Sequence, residues 1–146
     1  MKKEIMPKTK YKVVLAILIL VIIASGILSF VSIEQACGGI QTTCYAVQTS
    51  QYEKTFGIKN AHAGLVIFSL LAILVFMQIK KPSKYKKQII TLGIIGGAAF
   101  AIYFLYLQFF ALNAICKYCM IIDVGMLFEL GIIILWKEKT SLRNLN

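Results

Sequence analysis

Charged residues are scarce in this 146-residue sequence: Asp and Glu together number only six, and 15% of residues are charged against 59% hydrophobic. Soluble domains usually hold about 25% charged and roughly 45–50% apolar residues. The sequence also lacks internal repeats, low-complexity tracts and inter-domain linkers. No cleavable signal peptide is evident, because the first apolar run is too long for one. These absences argue against a soluble domain and indicate a single membrane domain over 1–146 whose first span is retained.

Four apolar segments are long enough to cross a bilayer, which takes about 20 residues per helix. They cover residues 13–33, 61–79, 89–112 and 114–136. The fourth is the least apolar, because it holds Lys117, Asp123 and Glu129. The sequence therefore predicts an all-α membrane protein, a four-transmembrane-helix bundle with a long first loop over 34–60.

Basic residues set the predicted orientation. Thirteen of the 16 lie in the N-terminal tail, in the link between the second and third spans, and in the C-terminal tail. Four spans place these segments on one side, which the positive-inside rule makes cytoplasmic. Both termini are therefore expected in the cytoplasm, and the first loop is expected on the extracytoplasmic side of the cell membrane. Topology explains the net charge of +10 without a nucleic-acid partner, and the basic loops also suit contact with anionic membrane lipid.

The four cysteines form two pairs on the predicted extracytoplasmic side, where disulfides persist. Cys37 and Cys44 lie in a stretch of the first loop rich in glycine and threonine, and Cys116 and Cys119 lie where the fourth span begins. The CxxC spacing puts the second pair on one helix face, and a helix N-terminus, with Asn113 as the expected cap, favours the thiolate. Electrons can pass between two such pairs through mixed disulfides. Thiol–disulfide chemistry is therefore the leading hypothesis.

Other roles for the cysteines stay open. The CxxC pair is also compatible with an inert disulfide or a metal site, since zinc ribbons use the same spacing. The loop pair is also compatible with a static staple. The main alternative function is a carrier or transporter that binds soft metal ions through the four thiolates, and the third is a structural membrane protein with two inert disulfides. No Met- or His-rich tract accompanies the cysteines and none lies on the cytoplasmic side, so no metal site is predicted.

Two motifs resemble those of the vitamin K epoxide reductase family, and the resemblance extends over nearly the whole chain. The first is CYAVQTSQY at 44–52, followed by FGI at 56–58, Asn60 and Gly64. The second is YLQFF at 106–110, which leads into AICKYC at 114–119. The resemblance implies a membrane thiol–quinone oxidoreductase that supports extracytoplasmic disulfide formation. It also implies a helix bundle that encloses a quinone, such as menaquinone or ubiquinone, with the first loop as its lid.

The resemblance implies a role for each cysteine. Cys119 would face the quinone, and donate electrons to it or form a transient thiolate contact with it. Cys116 would resolve Cys119 as a disulfide and exchange with Cys44. Cys37 would pair with Cys44 and receive electrons from a thioredoxin-fold protein. Because no thioredoxin-like domain follows the fourth span, that donor is expected to be a separate, DsbA-like extracytoplasmic protein.

Four further residues are candidate contacts of the quinone. Ser50 matches a family serine that supports the loop over the site, and Asn60 matches a polar residue that hydrogen-bonds a quinone carbonyl. Asp123 shares a helix face with the CxxC pair, and an acid within a span is a functional hypothesis by default. It either serves the quinone, as a proton relay or hydrogen-bond donor, or bonds to a neighbouring helix. Phe110 either lines the pocket or packs against lipid.

Two acidic residues of the fourth span, Asp123 and Glu129, need separate interpretation. Asp123 stands where the animal enzymes of the family carry a tyrosine, so epoxide reduction is not expected of this chain. Glu129 lies deeper and points away from the CxxC face, and a structural bond or ion pair with another helix is the expected role.

Overall fold

The computed structural model describes residues 8–143, with side chains as far as residue 136. The elements in this part of the chain are α1 Lys8–Phe30, α2 Ile33–Cys37, α3 Thr43–Gln48, β1 Lys54–Thr55, β2 Ile58–Lys59, α4 Asn60–Lys80, α5 Lys84–Tyr106, a π-helix at Leu107–Ala111 and α6 Lys117–Arg143. The helices α1, α4, α5 and α6 form a bundle. The short elements between α1 and α4 form the first loop, which covers one end of it.

Four helices among the described residues are long and apolar enough to cross a membrane. They are Lys8–Phe30, Asn60–Lys80, Lys84–Ala111 and Lys117–Trp136. The predicted four-helix membrane bundle is therefore confirmed, whereas the orientation of the termini stays a prediction. The first and third helices begin five residues before the predicted spans, because lysine is a good helix former whose long stem lets the charge reach water. The tails at 1–7 and 144–146 lie outside the described residues.

Helix α1 packs along α4 and α6, and α5 packs along α6, while the contact between α4 and α5 is less extensive. Small residues allow the close approaches: Gly125 lies against Val21, and a β-carbon at Gly97 would collide with Cε of Met126. The end of the bundle away from the cysteines is filled by the apolar side chains of Tyr11, Val14, Leu18, Leu71, Val75, Ile90 and Ile94. This packed half supports a looser half in which α4 and α5 leave room for a cavity.

Side-chain caps define the two short helices of the first loop. Ser32 Oγ accepts a hydrogen bond from the backbone N–H of Gln35 at the start of α2, and Thr42 Oγ1 accepts one from Tyr45 at the start of α3. Ser, Thr, Asp and Asn are the residues that satisfy these otherwise unpaired N–H groups. The caps therefore fix where each helix begins. Helix α3 buries the side chains of Cys44 and Gln48 against the bundle.

A two-residue hairpin completes the first loop and joins it to α4. Phe56 and Gly57 have φ angles of 54° and 81°, which is the left-handed conformation that the tight turn between β1 and β2 requires. Asn60, the first residue of α4, donates from Nδ2 to the carbonyl of Tyr52 and accepts from Thr55 Oγ1, both at 2.7 Å. The Asn60 side chain thus ties the hairpin to the start of the second span.

Candidate redox site

The first-loop cysteines are joined. Cys37, the last residue of α2, forms a disulfide with Cys44 of α3, and both residues are buried. The loop that joins the two helices turns through Gly38 and Gly39, which have φ angles of 80° and 128°. Those angles are readily adopted only by glycine, so the glycines let the chain reverse within the few residues that separate the two sulfurs.

The second pair lies at the start of α6, with both thiols free. Cys116 directly precedes the helix and is 0% exposed, and its carbonyl accepts the N–H of Met120. Cys119 is half-buried in the first turn. The predicted helix cap at Asn113 is wrong, because residues 112–116 are not helical and Asn113 has a φ of 47°. The non-helical segment places Cys116 at the boundary, where its sulfur faces the loop.

The two pairs meet. Cys44 Sγ lies 3.6 Å from Cys116 Sγ, although 72 residues separate them in the chain. Thr43 Oγ1 donates a 2.8 Å hydrogen bond to the carbonyl of Ile115, which holds α3 against the segment before α6. Thiol–disulfide exchange requires one sulfur to approach another sulfur of a disulfide. The arrangement therefore suits exchange between Cys44 and Cys116 with little movement of the backbone.

Two glutamines that the sequence analysis did not single out hold the CxxC pair. Gln48 Nε2 lies 3.0 Å from Cys119 Sγ and 3.6 Å from Cys116 Sγ. Gln108, in the π-helix, accepts the backbone N–H of Cys116 at 3.0 Å and donates from Nε2 to Asp123 Oδ2 at 3.1 Å. Both glutamines are buried. Gln108 could have been identified from the sequence, because it is an uncharged polar residue within an apolar span. Gln48 could be identified only once the position of α3 against the CxxC pair was known.

The hydrogen bond from the Cys119 thiol lowers the pKa of Cys116 to about 6, and Gln48 contributes in the same direction while burial opposes it. The Cys116 thiol is therefore more readily ionised than an ordinary cysteine when the pair is reduced. A thiolate is the reactive form of cysteine in exchange. The lowered pKa thus favours the reactive form at the sulfur nearest the loop disulfide.

A cavity of about 420 Å³ lies beside Cys119, between the first loop and the helices α1, α4, α5 and α6. Its lining is mainly apolar and includes three of the four predicted contact residues, Ser50, Asn60 and Asp123. Ser50 Oγ donates to the carbonyl of Val47, so it braces the turn after α3. Phe110 does not line the cavity: it is 72% exposed and stacks on Tyr106. The geometry gives no support for a quinone contact at Phe110.

The two acids of α6 have different surroundings. Asp123 is buried beside the cavity and receives the hydrogen bond of Gln108. Glu129 is 0% exposed, and neither of its carboxylate oxygens has a hydrogen-bond partner among the described residues. The expected structural bond from Glu129 to another helix is therefore not made within the described part of the chain. No group of three or more His, Cys, Asp or Glu side chains in the described part of the chain is placed to hold a metal ion.

The sequence model of the vitamin K epoxide reductase family matches residues 12–134, which is most of the chain. The chain belongs to the vitamin K epoxide reductase family. No curated protein and no solved structure matched the chain in the comparisons. Membership makes the protein a multi-pass membrane oxidoreductase, and the family generally uses electron carriers of the quinone type. The cysteine pairs and the cavity described above lie within the matched residues.

Proposed function

We propose that this member of the vitamin K epoxide reductase family oxidises the dithiol of a soluble partner and reduces a membrane quinone, and thereby supports disulfide formation outside the cytoplasm. The contact of 3.6 Å between Cys44 Sγ and Cys116 Sγ carries the proposal. It joins a disulfide in the first loop to a dithiol whose other member, Cys119, lines the cavity. Electrons thus have a continuous path of sulfur atoms from the loop to the cavity.

The proposed exchange begins with the loop pair reduced and the CxxC pair oxidised. The Cys44 thiolate attacks Cys116 Sγ, the Cys116–Cys119 bond breaks, and Cys119 leaves as a thiolate. Cys37 then attacks Cys44, which restores the loop disulfide and releases Cys116 as a thiolate. Two electrons have moved from the loop to the CxxC pair. The sulfur arrangement in the structure, with Cys37–Cys44 joined and Cys116 and Cys119 free, corresponds to the product of these two steps.

The volume and lining of the cavity support a quinone as the electron acceptor. Ligand pockets of this kind are mostly apolar, with a few placed polar groups. The cavity has that character, with the Asn60 side chain, the Asp123 carboxyl and Cys119 in its lining. Quinone, as the substrate, accepts two electrons and two protons. Cys119 would pass on the electrons as it rejoins Cys116 in a disulfide, and Asp123 would hold and deliver a proton at its carboxyl.

The electron donor is proposed to be a separate thioredoxin-fold protein. Its thiolate would attack Cys37, because Cys44 is the sulfur that stays against Cys116. Both loop sulfurs are buried as the structure stands, so the partner must displace part of the first loop to reach Cys37. The flanking Gly38 and Gly39 are the residues best suited to such a movement. The distribution of basic residues supports a location of this loop outside the cytoplasm.

Turnover in detergent tests the proposal. Purified protein is mixed with a reduced thioredoxin-fold dithiol and menaquinone or ubiquinone analogues, and donor oxidation is measured for wild type, Cys119→Ala and the control Ile121→Ala. Ile121 lies on the same helix and is exposed on the bundle surface. Quinone-dependent oxidation that is lost only in Cys119→Ala supports the proposal. Absence of turnover with every quinone, together with stoichiometric binding of copper or mercury by the thiols, would favour a soft-metal carrier instead.

A further inference from the structure

Gln48 lies on the same face of α3 as the exchanging sulfur of the loop. It is four residues after Cys44, and residues four apart are neighbours on a helix surface. Cys44 Sγ lies 3.6 Å from Cys116 Sγ, and Gln48 Nε2 lies 3.0 Å from Cys119 Sγ. One turn of α3 therefore contacts both sulfurs of the CxxC pair, the first through a sulfur and the second through an amide.

The amide of Gln48 is suited to a charged sulfur. A side-chain N–H is a donor, and hydrogen bonds to ionised acceptors are roughly twice as strong as those between neutral groups. Gln48 is 7% exposed, so water does not compete freely for this donor. The contact therefore stabilises Cys119 most when that sulfur carries a negative charge.

We infer that Gln48 is a further catalytic residue of this family member, whose amide N–H stabilises the sulfur of Cys119 as it leaves the Cys116–Cys119 disulfide. The inference rests on the exchange proposed above, in which Cys44 attacks Cys116. In that step one S–S bond forms, one breaks, and the negative charge moves from Cys44 to Cys119. The charge arrives at the atom that the Gln48 amide already contacts.

The placement of Gln48 on α3 links this stabilisation to the closed first loop. The same helix delivers the attacking sulfur and the stabilising donor, and Thr43 fastens it to the carbonyl of Ile115. Any movement of α3 that took Cys44 away from Cys116 would also take the Gln48 donor away from Cys119. The CxxC disulfide is therefore primed for opening only when Cys44 is present to open it.

The test uses Cys37→Ser, in which three cysteines share one disulfide after oxidation. Of the three possible isomers, the two that include Cys116 interconvert by exchange at that sulfur within the full-length protein, Cys116–Cys119 and Cys44–Cys116. Acid quenching and peptide mapping give their ratio. Adding Gln48→Met removes the donor at nearly constant side-chain length, and Gln51→Met is the matched control because Gln51 is exposed in the same loop. We expect Gln48→Met to lower the share of the Cys44–Cys116 isomer about tenfold relative to the other isomer, and Gln51→Met to leave it unchanged.

A second measurement distinguishes stabilisation of the Cys119 charge by Gln48 from an effect of Gln48 on the packing of the first loop. Cys119 is the free cysteine of the Cys44–Cys116 isomer, so its thiolate absorbance at neutral pH can be measured per molecule of that isomer. Gln48→Met is expected to reduce this absorbance. Thr43→Val, which loosens α3 without touching the sulfurs, is expected to lower the isomer ratio and leave the absorbance unchanged.

The outcomes distinguish the inference from the function on which it rests. An isomer ratio and absorbance that are the same with Gln48→Met as without it would overturn the role of Gln48 and leave the exchange route intact. Failure of Cys37→Ser itself to form any Cys44–Cys116 disulfide would overturn the exchange route, and the role of Gln48 with it.

Discussion

Replacement of Gln108 by methionine should destabilise the bundle at the cysteine site. The Gln108 amide accepts the backbone N–H of Cys116 and donates to Asp123, and all three residues are at most 3% exposed. Methionine has a similar length but makes neither bond. A buried N–H without a partner costs about 1–3 kcal/mol, and the lost bond to the carboxyl adds about 1 kcal/mol. The variant should therefore lose about 2–4 kcal/mol of its free energy of unfolding.

Thermal unfolding in detergent measures this loss. For a domain of this size a loss of 1 kcal/mol lowers the midpoint by about 3 °C, so Gln108→Met should unfold about 6–12 °C below wild type. Gln41→Met is the matched control, because Gln41 is exposed in the first loop, and its midpoint should not change. A midpoint for Gln108→Met equal to that of wild type would refute the reading that this amide holds Cys116 in place.

A double substitution tests the direction of the bond between Gln108 and Asp123. Gln108→Glu keeps an acceptor for the Cys116 N–H but sets two acids side by side. Adding Asp123→Asn restores a donor and an acceptor with their positions exchanged. The double variant should be more stable than Gln108→Glu alone, with a coupling of about 1–2 kcal/mol. If the effects of the two substitutions simply add, the two side chains do not interact as described.

Three further predictions follow from single contacts. With the loop disulfide intact, thiolate absorbance should be present above pH 6 and lost below it, because the pKa of Cys116 is lowered to about 6; Cys119→Ala should move the loss to higher pH, since the donor is gone. Thr43→Val removes the bond to Ile115 and should slow formation of a Cys44–Cys116 disulfide several-fold in quenched trapping. Glu129→Met should raise the unfolding midpoint, because the buried carboxyl that it removes has no hydrogen-bond partner among the described side chains. A lower midpoint would contradict this.

The four spans could be predicted from the sequence because the bilayer fixes both the length and the composition of a crossing helix. Their ends could not be placed as well. The rule that charged residues end a span misses the lysines at the start of α1 and α5, which continue the helix into the interface. The prediction of a helix cap at Asn113, before α6, was wrong for another reason. Asn113 has the side chain of a cap, but it adopts a left-handed conformation three residues too early, and Cys116 occupies the boundary position.

The parts of the candidate site that could be predicted from the sequence are those whose residue type indicates a chemical role. Cysteine spacing indicated both pairs, and an acid within a span drew attention to Asp123, which the structure places in the cavity lining. Gln108 gave a weaker signal, as an uncharged polar residue within an apolar span, and Gln48 gave none, since a glutamine in a polar loop is equally typical of a surface residue. For Phe110, residue type could not decide between the pocket and contact with lipid. An aromatic near a presumed pocket is a reasonable candidate, but the turn of the π-helix points it outward.

The register of α3 explains why Gln48, among the glutamines of the first loop, contacts the CxxC pair. Each residue turns an α-helix by about 100°, so residues four apart lie almost in line and their neighbours do not. Cys44 and Gln48 satisfy this spacing, and the CxxC spacing places Cys116 and Cys119 at a similar separation opposite them. A shift of α3 by one residue would break both contacts at once. The Thr42 cap and the Thr43 bond to Ile115, which fix that register, therefore belong to the redox machinery as much as the sulfurs do.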